Sequence, residues 1–270
     1  GSGFAVFYTD SGSYKITASA TAGNKIWRDV PLSQAGATKT SRKNLLINGN
    51  FDINHEGVSG TVTLAAGAYG HDMFLGGASG CTYTFAIAEN VTTLTITAGS
   101  LIQVVEGVSL FTGTYVLSFD GTAQGKIGGG SFSSSGVTGS ITGGVNTNIE
   151  FNSGTLSKVQ LENSLVKTDF EIERQGSILL ACQWYYEIGR VELNAATFAG
   201  NPFGVSTEFS SLKRIPPVIT LNVINNVNVS SVSATNIVQS GFTLSGSATS
   251  GSPSACQINY DYKADARLYP

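Results

Sequence analysis

Between residues 81 and 87 the chain alternates without a break: Cys81, Tyr83, Phe85 and Ile87 are apolar, with Thr82, Thr84 and Ala86 between them. Successive side chains on a β-strand point to opposite faces, so the pattern predicts a half-buried strand and conflicts with the 3.6-residue period of a helix. Tyr115, Leu117 and Phe119 repeat the device against Val116 and Ser118. Val159 and Leu161 repeat it against Lys158, Gln160 and Glu162, whose polar side is expected to face solvent. Farther on, Ile219, Leu221 and Val223, then Phe242 and Leu244, then Ile258, Tyr260, Tyr262 and Ala264 give more strands of the same kind. The 33 glycines against six prolines suit many short strands joined by tight turns. The predicted class is all-β, with antiparallel sandwiches.

Four segments follow. Residues 1–34 read as a small β unit of three strand-like pieces, FAVFY, SYKITAS and KIWRDVPL, too small to bury much by itself. Residues 35–43 are small, polar and basic and read as a linker. A jelly-roll-like sandwich is expected over 44–174, with short strands and mobile loops in its Gly/Ser-rich stretch from Gly121 to Gly154. Residues 175–270 are expected to start with one short apolar helix, Ser177 to about Tyr186, buried between domains. A second β domain follows it, its sheet preceded by Pro216-Pro217, because a proline pair cannot occupy a central strand.

Charged residues make up 12% of the chain and the formal net charge is -3. With Lys and Arg dispersed, no basic stripe exists for nucleic acid and no polybasic patch for an anionic membrane. No run of about 18 apolar residues suggests membrane insertion, and the N-terminus lacks the pattern of a cleaved signal. Cys81, Cys182 and Cys256 are too few and too far apart for a disulfide framework and are expected as buried, reduced thiols.

Catalytic patterns are weak. No Gly-x-Ser-x-Gly elbow occurs, and GKIGGG at Gly125 lacks the Gly-Lys-Ser/Thr ending of a phosphate loop. The acidic residues form no recurrent pair, and solenoid repeats of a polysaccharide-cleaving tailspike are missing. His55-Glu56 and His71-Asp72 form a metal site only if their two loops meet. Neither a metal nor another cofactor is expected.

The stretch NLLINGNFDINHEG resembles the opening of the jelly-roll, galactose-binding-like module common in bacteriophage tail fibre proteins. KVQLENSLVKTDFEIERQ resembles its closing strand and exit. LLACQWYYE, SSLKRIPPVITL and INYDYKADARLYP resemble, in order, the helix, middle strand and last strand of tip domains in the same fibres. Four positions depart from the family pattern. Met73-Phe74 stands where a basic residue and tryptophan are usual, Asp169 where proline is frequent, and Trp184 where a basic residue is common.

The resemblance implies a non-enzymatic, parallel homotrimeric segment of a virion, made in the host cytoplasm. Its partners would be two identical chains, other phage tail and fibre proteins, and a bacterial surface polysaccharide or lipopolysaccharide. A depolymerising tailspike and a purely structural fibre or adhesin segment are the alternatives. Trp27, Val30 and Leu32 are candidates for contacts at the trimer axis. Similar jelly-roll modules sometimes hold a structural calcium near the first strand, where Asn50, Asp52 or Asp72 could contribute. For the receptor, the loop-like stretch NAATFAGNPFG offers Phe198 and Phe203 as platforms and Asn194 and Asn201 as hydrogen-bonding partners. Tyr69 and His71 in the sandwich loops are second candidates. Trp184 is a further aromatic, expected to pack inside.

Overall fold

The computed structural model describes residues 12–18, 25–32, 44–249 and 254–269. The chain divides into two compact units, 1–42 and 43–270. In the first, β1 (Gly12–Ala18) and β2 (Lys25–Leu32) pair antiparallel, with a register irregularity between Tyr14 and Ile16. The FAVFY piece, the linker over 35–43 and the side-chain contacts of Trp27, Val30 and Leu32 lie outside the described residues.

Among its described residues the larger unit is all-β apart from one helix and a single 3-10 turn. Its first strands are β3 (Val62–Leu64), β4 (Leu75–Ala88), β5 (Val91–Val105), β6 (Gly113–Asp120), β7 (Gly125–Ile127), β8 (Val137–Ile141), β9 (Thr147–Phe151) and β10 (Gly154–Glu162). They form one antiparallel array in the order β3-β4-β5-β10-β6-β8, with β9 paired to both β5 and β7. The Gly/Ser-rich stretch does supply only short strands, β7 to β9.

Two features fold this array over its core. Strand β10 pairs with β5 through Gly154–Leu156 and with β6 from Ser157 onward, with a register shift between Ser157 and Gln160. Lys158 sits at that shift with φ 49°, the left-handed conformation of a bulge that re-aims a strand. The second feature is the β4–β5 register shift between Gly76 and Cys81, where Gly80 and Gly99 have φ 75° and 70°. A Cβ on Gly99 would strike the Gly80 carbonyl oxygen, so only glycine allows the strands to approach there.

Tyr83, Leu94, Leu101, Tyr115, Leu117, Phe151 and Leu161 meet in the sandwich core. The run Leu101–Val105 is buried at every position because β5 is covered on both sides. Leu101 and Val105 face the sandwich core, whereas Ile102 and Val104 join a second cluster with Leu75, Ile178 and Cys182.

Within this array two expected faces differ. Ile87 is 70% exposed, because the end of β4 runs out past the core into its hairpin turn. Gln160 and Glu162 are buried rather than solvated, because residues 168–171 fold back over them. The Gln160 Oε1 accepts the Glu171 N–H at 2.8 Å, and Glu162 accepts the Thr168 N–H at 3.0 Å and its hydroxyl at 2.5 Å.

Helix α1 (Gln175–Gln183) starts two residues earlier than expected and ends before Tyr186. It buries a single stripe, Ile178 and Cys182, against β4 and β5, and Leu180 stays exposed. Trp184, expected inside, is 39% exposed because it caps the helix opposite that stripe.

The remaining strands are β11 (Tyr186–Thr197), β12 (Pro202–Glu208), β13 (Val218–Val227), β14 (Val229–Val238), β15 (Gly241–Ala248) and β16 (Ser254–Asp265). Consecutive strands of each pair, β11–β12, β13–β14 and β15–β16, lie in opposite sheets, ordered β11-β16-β13 and β12-β15-β14. Phe242, Leu244, Ile258, Tyr260, Tyr262 and Ala264 fill the core between them. Val223 does not face it: the register shifts between Val223 and Asn225 and leaves its side chain exposed. The three cysteines are buried thiols.

The junction of α1 with this second sandwich holds a buried ion pair, Lys213 Nζ to Glu187 Oε2 at 2.7 Å. Lys213 also donates to the Gln183 and Ser211 carbonyls, and Glu187 also accepts from Ser210 and the Tyr262 hydroxyl. Breaking one side of such a pair strands a buried charge, at about 3–5 kcal/mol. Lys213→Met is expected to lower unfolding free energy by about that amount in a urea titration, and adding Glu187→Leu to recover more than half of it. A loss under about 1 kcal/mol for the single variant contradicts this account.

Candidate functional site

The stretch NAATFAGNPFG is mostly strand, not loop. Asn194 lies exposed on β11, paired opposite Gln257. Phe203 lies on β12 with its ring turned toward the second core. Between the strands only residues 198–201 turn, closed by the Asn201 N–H on the Phe198 carbonyl at 3.1 Å and by paired bonds to Ala248. Phe198 is 56% exposed and Asn201 exposed, so these two share the turn while Phe203 is held away from it.

Tyr69 and His71 are interior groups. The Tyr69 hydroxyl donates to the Leu268 carbonyl, and its ring lies 4.0 Å from the Arg267 guanidinium, which also stacks on Tyr186 at 3.9 Å. His71 is 2% exposed, its Nδ1 3.0 Å from the Tyr83 hydroxyl and its ring edge-on to Phe85. Burial pushes the His71 imidazole down to about 4, and a ligand cannot reach either residue without unpacking the core.

The two histidine loops do meet, but as a clamp. His55 Nδ1 lies 2.6 Å from Asp72 Oδ2, and Asp72 Oδ1 accepts the His55 backbone N–H at 2.7 Å. Among the described residues no three His, Cys, Asp or Glu side chains converge in a geometry that could hold a metal.

A cavity of about 560 Å³ opens elsewhere, between the segments whose sequences carry the fibre resemblance. Its walls are the irregular opening segment from Asn44 to Asp52, the Glu89-Asn90 turn, Lys158, the exit segment from Phe170 to Glu173, and Ile178 of α1. Such a volume suits a small ligand, about 300–1,000 Å³ being usual.

Each wall has a local cause. Glu89 and Asn90, with φ 51° and 60°, are the two central residues of the β4–β5 hairpin, whose tight turn requires both to be left-handed. Lys158 projects from the β10 bulge and pairs with Asp120 at 3.4 Å. Gly49 lets the opening segment run against β10, since a Cβ there would strike the Val159 carbonyl oxygen, and its own carbonyl accepts the Val159 N–H at 2.9 Å. The half-buried Phe170 ring lies beside Gly49.

Polar groups then line the space. Asn50 Nδ2 donates to Asp52 Oδ1 at 2.9 Å and to the Asn90 carbonyl at 2.8 Å, tying two walls together. Glu171 Oε2 accepts the Asn44 N–H at 2.6 Å. Burial raises the Asp52 carboxyl above its ordinary range, and the Asn50 amide offsets part of that rise. A flat apolar ring beside amides and carboxylates offers a sugar a C–H platform and hydroxyl partners. Asn50 and Asp52 were visible in the sequence only as oxygen ligands. Asn90, Lys158, Phe170 and Glu171 were missed, although the Glu-Asn pair between two alternating strands is a hairpin signal.

Searches of family models, curated proteins and solved structures find no match to this chain.

The two histidines give opposite pH dependences. His71 binds its proton more weakly folded than unfolded, so stability falls as pH drops through the ordinary 6.5 and levels off below about 4. The loss is roughly 3 kcal/mol. For His55 the Asp72 bond raises the imidazole against the opposing effect of burial, so its contribution is complete below 6.5 and is lost as pH rises through the folded value. Urea unfolding of His71→Gln across pH 4 to 7 is expected to lose the acid-side fall seen in the parent; an unchanged slope contradicts the assignment.

Proposed function

We propose that this chain is a distal segment of a bacteriophage tail fibre, a non-catalytic protein that attaches the virion to a bacterial surface glycan. The cavity between the opening and exit segments carries the reading. It joins a half-buried aromatic ring to amides and carboxylates in a space sized for a sugar, and it is built from the stretches that resemble the fibre module. Phe170 is the platform, and Asn50, Asp52, Asn90 and Glu171 present the polar atoms. Phe198 and Asn201, in the turn between β11 and β12, form a secondary contact.

The fibre works as a parallel homotrimer. A single chain leaves Leu180, Trp184, Leu212, Ile215 and Val218 exposed. Arg214 N–H donates to the Trp184 carbonyl, which sets the 212–215 segment beside the end of α1, so several of these apolar side chains share one region. A second and third copy would cover them.

Binding of the labelled full chain to susceptible bacteria tests the site. Phe170→Ala, checked for normal melting, is expected to weaken binding at least about tenfold, the ~1.4 kcal/mol that one aromatic contact supplies. Unchanged binding by the folded variant removes the cavity from the receptor site. New reducing ends after incubation with host capsule or lipopolysaccharide would overturn the non-catalytic reading in favour of a depolymerase. Mass measurement at dilute concentration is expected to give three chains, and a stable monomer contradicts the trimer.

A further inference from the structure

We propose that three loops of the first sandwich, residues 107–112, 142–146 and 163–166, form a contact between copies of this chain at the trimer axis; this rests on the trimer proposed above. Val108 and Phe111, then Val145, then Leu165 and Val166 stand on these loops, each between 55% and 83% exposed. Hydrogen bonds gather them into one group. The Gly144 N–H donates to the Leu110 carbonyl at 3.3 Å and the Gly143 N–H to the Thr112 hydroxyl at 2.9 Å, which joins the first two loops. The Asn163 amide donates to the Tyr115 hydroxyl at 3.4 Å. That same hydroxyl holds Phe111, accepting its N–H at 3.0 Å and donating to its carbonyl at 2.8 Å.

The loops are built to be covered. The Gly107 N–H donates to the Asn146 amide oxygen at 2.8 Å, and those of Ser109 and Leu110 close the 3-10 turn on the Glu106 and Gly107 carbonyls. Peptide groups satisfied inside the loops lose little when water leaves, and apolar tips held on a fixed backbone have little freedom left to lose.

Three observations favour a second copy as the cover. Residues 107–112, 142–146 and 163–166 contain no charged side chain. A rotation axis sets each residue near its own copy, where any charge would meet its like, so an uncharged face suits identical chains. The five tips offer a glycan no hydrogen bond and a charged partner no countercharge. The loops also adjoin the apolar group around Trp184 and Ile215, because Glu106 accepts from the Tyr185 hydroxyl at 3.1 Å and from Arg214 at 3.3 Å. Five side chains so exposed present on the order of 500 Å² of apolar surface. With the adjoining group the face approaches the ~800 Å² that one partner of a stable contact buries.

Mass measurement of the full chain across a dilution series is the test. Phe111→Glu and Phe111→Lys, each confirmed folded by circular dichroism, are expected to dissociate at concentrations at least about tenfold higher than the parent. An equimolar mixture of the two is expected to regain stability, since opposite charges then meet, a recovery that misfolded chains cannot give. Ile87→Glu, similarly exposed on the β4–β5 hairpin, is expected to assemble as the parent does. Unchanged assembly of both Phe111 variants, or a loss that mixing does not restore, overturns this contact and leaves the trimer standing. A parent that stays monomeric throughout overturns the trimer and the contact together. If that monomer sediments with phosphatidylcholine vesicles and Phe111→Glu does not, the face belongs to a lipid surface instead.

Discussion

Side-chain amides standing in for backbone are the constraint on which this structure depends. Residues 44–54 belong to no strand, yet they are packed against the sandwich and their peptide groups need partners. Asn44 Oδ1 accepts from Leu46 and Leu161 while its Nδ2 donates to Val159. Gln103, on the doubly covered part of β5, bonds both the N–H and the carbonyl of Ile47, as a neighbouring strand would. Asn48, left-handed at φ 60°, accepts from Ile53 and donates to Ile53 and Asp72. Every one of these amides is buried. Removing one strands peptide groups that water cannot reach, at about 1–3 kcal/mol each.

The exit segment is held by the same logic from the other side. Gln160 and Glu162 lie on the face of β10 that a bare alternation assigns to solvent, and they bind the backbone of residues 168–171 instead. Two irregular segments are therefore fixed against one strand, and the cavity is the space they leave between them. The bulge at Lys158 follows directly on the point where β10 changes partners, so the step that folds the array also places Lys158 in the cavity wall.

This explains what could be read from the sequence. Positions whose partners are other apolar side chains were legible: Tyr83, Tyr115, Leu117, Leu244, Ile258 and Tyr260 all face inward, because alternation encodes apolar burial directly. Gln160, Glu162 and Gln103 were not, since a polar side chain that bonds buried backbone has the same letter as one that meets water. Strand β11 was hidden differently. Val191, Leu193 and Ala195 do alternate, but small residues and a nearby Gly-Asn-Pro run give the signature of a loop. Tyr69 and His71 were misplaced because their neighbours Gly67 and Gly70 suggest a surface turn, while the burying groups come from Tyr83, Phe85 and residues 267–268, distant in sequence.

The end of the chain closes the same system. Arg267 is inserted between Tyr69 and Tyr186, pairs with Asp265 at 2.6 Å and reaches Glu56 at 3.1 Å. A desolvated guanidinium between two rings contributes about 2 kcal/mol or more, and the ion pairs hold its orientation. Leu268 joins the cluster of Ile53, Ile178 and Tyr185. Glu56 and Ile53 directly follow the opening segment, and Ile178 also lines the cavity. The last strand of the second sandwich is thus tied, within a few residues, to the wall that carries Asn50 and Asp52. The opening segment is thus held from two directions, by the buried amides of the first sandwich and, through Glu56, by the Arg267 clamp at the end of the second.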